Sequence, residues 1–133
     1  MAPRLPIVHV LGAGPTGSLT AFALAKKGYR IVLHDPQSAH NLQSRSRAYA
    51  ITHSSRRLLD LLGLWSALEP ALTGFEALEL RDDASSGRVR FSRSDLNSIN
   101  TDQGTIGWIL DHRPLMRLLL QQLHNHANVR LYL

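Results

Sequence analysis

The stretch VLGAGPTGS, residues 10–18, constrains this chain more than any other. Three glycines in G-x-G-x-x-G spacing follow a short apolar, β-branched run over residues 6–11, which reads as a buried strand. Residues 16–27 are rich in helix formers, with Leu19, Phe22 and Ala23 toward one face. Lys26 and Lys27 suit the negative end of that helix, and Gly28 fits the left-handed position that closes it. Residues 29–34 read as a second strand, ended by Asp35 and Pro36. Strand, tight turn, helix and strand in so short a span make a βαβ unit, which requires a parallel pair and a right-handed crossover.

Each glycine has its own task in such a turn. Gly12 permits the sharp exit from the strand, Gly14 lets the backbone approach a pyrophosphate, and Gly17 lets the helix pack closely on the sheet. The helix behind them offers unpaired N–H groups and about half a positive charge to a diphosphate. Asp35 stands close to the ~20-residue separation at which an acid at the end of the second strand bonds a ribose hydroxyl. Its carboxylate would repel a 2′-phosphate, and no arginine or lysine follows it directly. Tightly bound NADP is therefore disfavoured here, while FAD and NAD both stay open.

The remaining segments read as follows. Residues 37–46 are polar and form a loop. Residues 54–62 form a helix with a Leu58, Leu61, Leu62 stripe and Gly63 as its stop. Residues 75–81 and 88–92 are strands of a hairpin around the turn-rich residues 82–87. A polar loop over 94–104 leads to a strand at 107–110. A helix then opens at Pro114, carries the stripe Leu115, Leu119 and Leu123, and ends near Asn125. Residues 129–133 form a last strand, and both it and the hairpin are expected to present unpaired edges. The fold class is α/β: a Rossmann-like βαβ domain with a small β-hairpin excursion. Residues 1–133 are expected to be the N-terminal part of one domain, incomplete, with no complete second domain.

Composition removes several functions. At 44% hydrophobic the chain can bury a core. It has no cysteine, hence no disulfide, thiolate metal site or thiol nucleophile. The N-terminus does not read as a secretory signal, and no apolar run reaches the ~20 residues of a membrane span. The net charge of +5 comes from scattered arginines without interleaved aromatics, so nucleic acid is not the expected partner. No G-x-S-x-G elbow marks a hydrolase. His112, His124 and His126 lack the spacing of a metal site, so no metal is expected. His34 and His40 read as loop histidines, and Trp65 and Trp108 as packing residues near element ends.

GAGPTGSLTAFALAKKGYRIVLHDP resembles the N-terminus of flavoprotein monooxygenases of the para-hydroxybenzoate hydroxylase class. SRSRAYAITHSSRRLLDLLGLW is similar to the segment after the second strand in the branch that hydroxylates ubiquinone precursors, and GWILDHRPLMRLL and NVRLYL resemble later family motifs. The likeness covers essentially the whole chain but only about the first third of a typical member of roughly 400 residues, well beyond one average domain. It implies FAD as cofactor, with Gly12, Gly14 and Gly17, and Pro15 and Thr16 between them, at the pyrophosphate. It also implies Asp35 on the adenosine ribose and Arg47 and Arg113 as further cofactor contacts.

The implied reaction uses NAD(P)H and O2 to hydroxylate a small aromatic or quinone-precursor substrate. The cofactor carries the chemistry, and the protein orients it. The family's later aspartate-glycine and glycine-aspartate motifs are missing from these residues. The expectation is therefore that the 133-residue chain is inactive alone, with no catalytic residue of its own. The expected location is the cytoplasm, with peripheral membrane association implied only by the ubiquinone-like branch; the oligomeric state is open. The alternatives are a non-catalytic nucleotide-binding remnant and an FAD- or NAD-linked oxidoreductase of another reaction type.

Overall fold

A computed structural model describes residues 5–96 and 104–133. In chain order the elements are β1 (Ile7–Leu11), α1 (Pro15–Lys26), β2 (Arg30–His34), α2 (Ala39–Gln43), β3 (Ala48–Ile51), α3 (His53–Leu61) and α4 (Trp65–Leu68). They continue with β4 (Leu72–Phe75), β5 (Ala77–Asp82), β6 (Gly87–Ser92), β7 (Gly107–Asp111), α5 (His112–His124) and β8 (Val129–Tyr132).

The expected βαβ unit is present. β1 and β2 are parallel, with Val10 opposite Leu33. Pro15 occupies the first helical turn of α1, where its missing N–H costs nothing. Gly28 follows the helix at φ +92°, and its N–H donates to the Ala25 carbonyl at 2.9 Å. β8 lies parallel on the far side of β2, giving the order β1-β2-β8. Residues 129–133 therefore do find a strand partner along one edge. Helices α1 and α5 pack together over one face of this sheet. Ala21 and Ala25 are buried as the close approach requires, against a core that includes Ile31, Leu33, Leu119 and Leu123.

On the opposite face a ring ladder crosses all three strands. His9 stacks on His34 at 5.3 Å between centroids, and His34 stacks on Tyr132 at 5.4 Å. His9 Nδ1 and His34 Nε2 are 3.0 Å apart, so one of the two carries the hydrogen between them.

A second sheet runs antiparallel in the order β3-β7-β4. Its centre is Trp108, opposite Ile51 on one side and Gly74 on the other. Trp65 meets Trp108 edge to face at 5.0 Å, and the Arg56 guanidinium lies over both rings, at 5.1 and 5.3 Å. β5 and β6 form the expected hairpin. Leu78, Leu80, Val89 and Phe91 share one of its faces and remain 40–54% exposed.

Several expectations are corrected. Residues 37–46 are not all loop: α2 forms there because the Ser38 hydroxyl accepts from the Asn41 N–H and Leu42 plugs the core at 1% exposure. The stripe on α3 is displaced. Leu58 and Leu61 are 47% and 80% exposed, while Leu59 and Leu62 are buried. Arg56, which stacks on the two tryptophans, precedes Leu59 by three positions, so the two fall on adjacent parts of the inner face. The strand expected over 75–81 is two strands, β4 ending at Phe75 and β5 starting at Ala77. The last helix starts at His112 instead of Pro114, because the Asp111 carboxylate accepts from the Arg113 N–H and caps it earlier. The loop expected over 94–104 falls largely on 97–103, outside the described residues.

His112 joins three elements at this point. Its ring is 1% exposed. The Leu42 carbonyl can only accept, so Nε2 donates to it at 2.6 Å, and in the neutral ring Nδ1 accepts from the Tyr49 hydroxyl at 2.7 Å. The substitution His112→Phe keeps the bulk but leaves the Leu42 carbonyl unpaired. It is expected to lower the unfolding free energy by about 1–3 kcal/mol, measured as a lower urea midpoint with an unchanged m value.

Candidate dinucleotide site

The site lies at the carboxyl ends of β1 and β2, where the glycine turn leaves the sheet. Gly12 sits at φ +97°, a conformation that side chains with a Cβ rarely adopt, and its N–H donates to the His34 carbonyl at 2.8 Å. At Gly17 an added Cβ would overlap the Gly12 carbonyl oxygen, so this position sets how closely α1 approaches the turn. At Gly14 an added Cβ would meet nothing within 4 Å. Gly12 therefore holds a turn that favours glycine, Gly17 holds the close approach of α1, and the space above Gly14 is open.

Gly14 is also the N-cap of α1, and no side chain closes that end. By contrast, Ser38, Thr52 and Asp111 each cap the helix they precede. The first turn of α1 contains no acidic residue. Its leading N–H groups are therefore left for an external acceptor, and the helix dipole favours an anion there.

The turn is braced from both sides. The Asp35 Oδ2 accepts from the Ala13 N–H at 2.8 Å, and Oδ1 accepts from the Gln37 N–H at 2.9 Å. The Ser18 hydroxyl, fully buried, donates to the Ala13 carbonyl at 2.9 Å. Both polar groups of Ala13 are thus held. Ser18 was not singled out from the sequence. Its only signal is a hydroxyl among the small residues that follow the third glycine.

Beyond Asp35, the Arg45 Nη2 donates to the Gln37 side-chain oxygen at 2.9 Å, which ties the loop after β2 back toward the aspartate. Arg47 lies two residues further on. Its carbonyl accepts from the His112 N–H at 2.8 Å, so Arg47 and Arg113 flank one backbone junction between β3 and α5. Both side chains are exposed. The structure thus gathers Gly12, Gly14, Pro15, Thr16, Gly17 and Asp35 into one turn and sets Arg47 beside Arg113 at a second place. No hydrogen bond joins the two arginines directly to the glycine turn among the described residues. Among those residues, no group of three or more metal-ligating side chains occurs.

A parallel βαβ unit with a braced glycine turn and an uncapped helix defines a dinucleotide-binding α/β domain. Residues 5–107 match the FAD binding domain family. The chain belongs to that family, and FAD is the cofactor its fold serves. The residues present fit the group: open space above Gly14, free donors on α1 and a carboxylate at the end of β2. The chain is 27% identical over 125 residues to the ubiquinone hydroxylase UbiL of Rhodospirillum rubrum, covering 92% of this chain and 28% of UbiL.

Several solved proteins share the fold. PqsL of Pseudomonas aeruginosa, in complex with 2-aminobenzoylacetate, superposes with a TM-score of 0.73 at 19% identity, over 98% of this chain and 33% of PqsL. The p-nitrophenol 4-monooxygenase PnpA of Pseudomonas putida gives 0.71 at 22% identity, over 96% of this chain and 32% of PnpA. The chain therefore spans about a third or less of the length of these relatives.

Two substitutions separate bracing from packing. Asp35→Ala leaves the Ala13 and Gln37 N–H groups without their acceptor and is expected to cost about 1–3 kcal/mol of stability. Gly17→Val drives a side chain into the Gly12 carbonyl and is expected to cost about 1–3 kcal/mol by overpacking. Urea unfolding followed by far-ultraviolet circular dichroism measures both.

Proposed function

We propose that this chain is the FAD-binding N-terminal portion of a flavin monooxygenase that hydroxylates a small aromatic or quinone-precursor substrate with NAD(P)H and O2. The observation that carries the proposal is the uncapped first turn of α1 above an open Gly14, in a chain of the FAD binding domain family. UbiL and PnpA, which align with this chain, are respectively a ubiquinone hydroxylase and a p-nitrophenol 4-monooxygenase.

In this reading the N–H groups of Gly14, Thr16 and Gly17 receive the FAD pyrophosphate, with Pro15 fixing the turn and Gly12 its direction. Asp35 has spent one lone pair of each oxygen on Ala13 and Gln37, and an ionised carboxylate has about four such sites. The remaining two are available to the hydroxyls of the adenosine ribose. Arg47 and Arg113 supply planar, permanently charged groups suited to phosphate or to a ring face.

When bound, FAD supplies acceptance of a hydride and activation of oxygen. The residues of this chain bind and orient it, and none of them is assigned a catalytic role. In this reading the remaining cofactor contacts and the substrate cover come from outside these 133 residues. The 133 residues alone are therefore proposed to hold FAD weakly and not to hydroxylate. No helix among the described residues is long and apolar enough to cross a membrane. The proposed setting is the cytoplasm, with any membrane contact peripheral.

Fluorescence titration of the chain with FAD tests the reading. Weak saturable binding is expected, reduced about tenfold or more by Gly14→Val, since one lost charge-assisted contact set corresponds to roughly 1.4 kcal/mol. A smaller loss is expected for Arg47→Ala. FAD binding that ignores Gly14→Val, or stoichiometric FAD retained through purification, would count against the proposal.

A further inference from the structure

We propose that His9 and His34 form a two-imidazole site for a divalent transition-metal ion, a clip between β1 and β2 on the open face of the first sheet. Their facing nitrogens, His9 Nδ1 and His34 Nε2, are 3.0 Å apart. Two imidazoles bound at about 2.0–2.1 Å on adjacent corners of one metal hold their nitrogens roughly 2.9–3.4 Å apart. The spacing thus already matches the bite of such an ion. The pair uses no side chain of the candidate dinucleotide site, and it does not rest on the FAD reading.

Strand register, not spacing in the sequence, makes the pair. His9 lies opposite Val32, and His34 is the next residue of β2 on the same face. The two side chains therefore meet on a diagonal across parallel strands, although they are 25 positions apart. The register is held from the other face, where Ile31 and Leu33 are buried in the core. Among the described residues, neither ring has a hydrogen-bond partner besides the other. His9 is exposed, and His34 is half-buried beside the Tyr132 ring at 5.4 Å, so water and ions reach the pair.

The donor set selects the ion. In the neutral pair one ring donates its N–H to the other. A metal binds when that ring carries its hydrogen on its second nitrogen instead, so that both facing nitrogens present lone pairs. The rings, within 14° of parallel, then tilt until the two lone pairs meet at one point. Two metal–nitrogen bonds form, two waters leave the ion, and no net proton is released. Water fills the remaining positions, since no third histidine or carboxylate groups with the pair among the described residues. Imidazole suits Cu2+, Ni2+ and Zn2+, with Cu2+ held most tightly. Mg2+ and Ca2+ require oxygen ligands. This face of the three strands carries no carboxylate, and its charged side chains, Arg30 and Arg130, stand toward its other end.

A metal held here ties together the two strands from which the glycine turn leaves the sheet. The His34 carbonyl already accepts from the Gly12 N–H at 2.8 Å. The site exists only while β1 and β2 are paired, so the ion binds the folded chain and stabilises it by mass action. One imidazole alone holds such an ion weakly, and the second adds to it through its high effective concentration. Loss of either ring is therefore expected to weaken binding about tenfold or more.

The test is calorimetric titration of the untagged 133-residue chain, stripped with EDTA and dialysed, with ZnCl2, CuCl2 or MgCl2 alone at neutral pH. Wild type, His9→Ala, His34→Ala and His124→Ala are compared, each checked for folding by circular dichroism. Zn2+ is expected to bind at a single site, Cu2+ more tightly and Mg2+ not at all. Both pair variants should bind at least tenfold more weakly, and His124→Ala should match wild type. Zn2+ should raise the urea midpoint of wild type and leave that of His9→Ala where it was. Substoichiometric Cu2+ should broaden the amide resonances around His9 and His34 first, a measurement that needs no variant. Binding that ignores His9→Ala, that is lost in His124→Ala, or that broadens other residues first would overturn the proposal. So would the absence of detectable Zn2+ and Cu2+ binding to wild type.

Discussion

The Asp35 carboxylate is the contact on which the site depends. One oxygen holds the Ala13 N–H inside the glycine turn, and the other holds the Gln37 N–H at the start of the loop that leaves β2. A turn of this kind cannot brace itself. Gly12 stands in the left-handed region, Gly14 makes no contact a Cβ would feel, and Gly17 offers only a close approach. Glycine also has the largest conformational entropy to lose on ordering. The shape is held because β1 and β2 are in register, so that His34 reaches Gly12 and Asp35 falls opposite Ala13. The same carboxylate that appears suited to a ribose in the sequence thus serves first as a structural bond, and a ligand would add to that role.

The legible part of this chain was the part governed by local rules. The βαβ unit could be read because its strand, turn and helix each carry a separate signal, and Gly28 closes the helix where a left-handed residue must stand. The stripe Leu115, Leu119 and Leu123 was equally plain, and all three are buried. What failed was set by tertiary contacts. Nothing in residues 37–46 shows a helical stripe, since α2 has one buried anchor, Leu42, and is secured by His112 from 70 residues away. On α3 the apolar residues Leu58 and Leu61 suggested the wrong face. The inner face also carries Arg56, held over two tryptophans, and hydrophobic periodicity cannot register an arginine as a core-facing group. Strands β3 and β4 are four residues each and are defined by β7 between them, so neither announces itself alone.

The candidate residues divide in the same way. The glycines and Asp35 are fixed by spacing and sit together as the spacing requires. Arg47 and Arg113 are 66 positions apart in sequence, and a backbone bond from His112 to the Arg47 carbonyl makes them neighbours. The intervening residue, His112, carries no functional signal in the sequence. Its buried ring nevertheless joins α2, β3 and α5, and so determines where both arginines begin. Any cofactor contact made by those arginines therefore depends on a histidine that need touch no ligand.

The uncapped end of α1 joins stability to binding. A serine or aspartate at the N-cap would satisfy one of its open donors and typically stabilise a helix by about 1 kcal/mol. Ser38, Thr52 and Asp111 do this for α2, α3 and α5. At Gly14 the chain forgoes that gain, and the side chain that would provide it would occupy the open space that the proposed pyrophosphate contact needs. The two uses of the helix end exclude each other. Whatever anion completes α1 binds the folded chain and not the unfolded one, so it stabilises the fold by mass action as its concentration rises above its dissociation constant. The turn is consequently weaker when empty than an ordinary capped helix start, and the bracing by Asp35 and Ser18 is what keeps it in shape for the ligand.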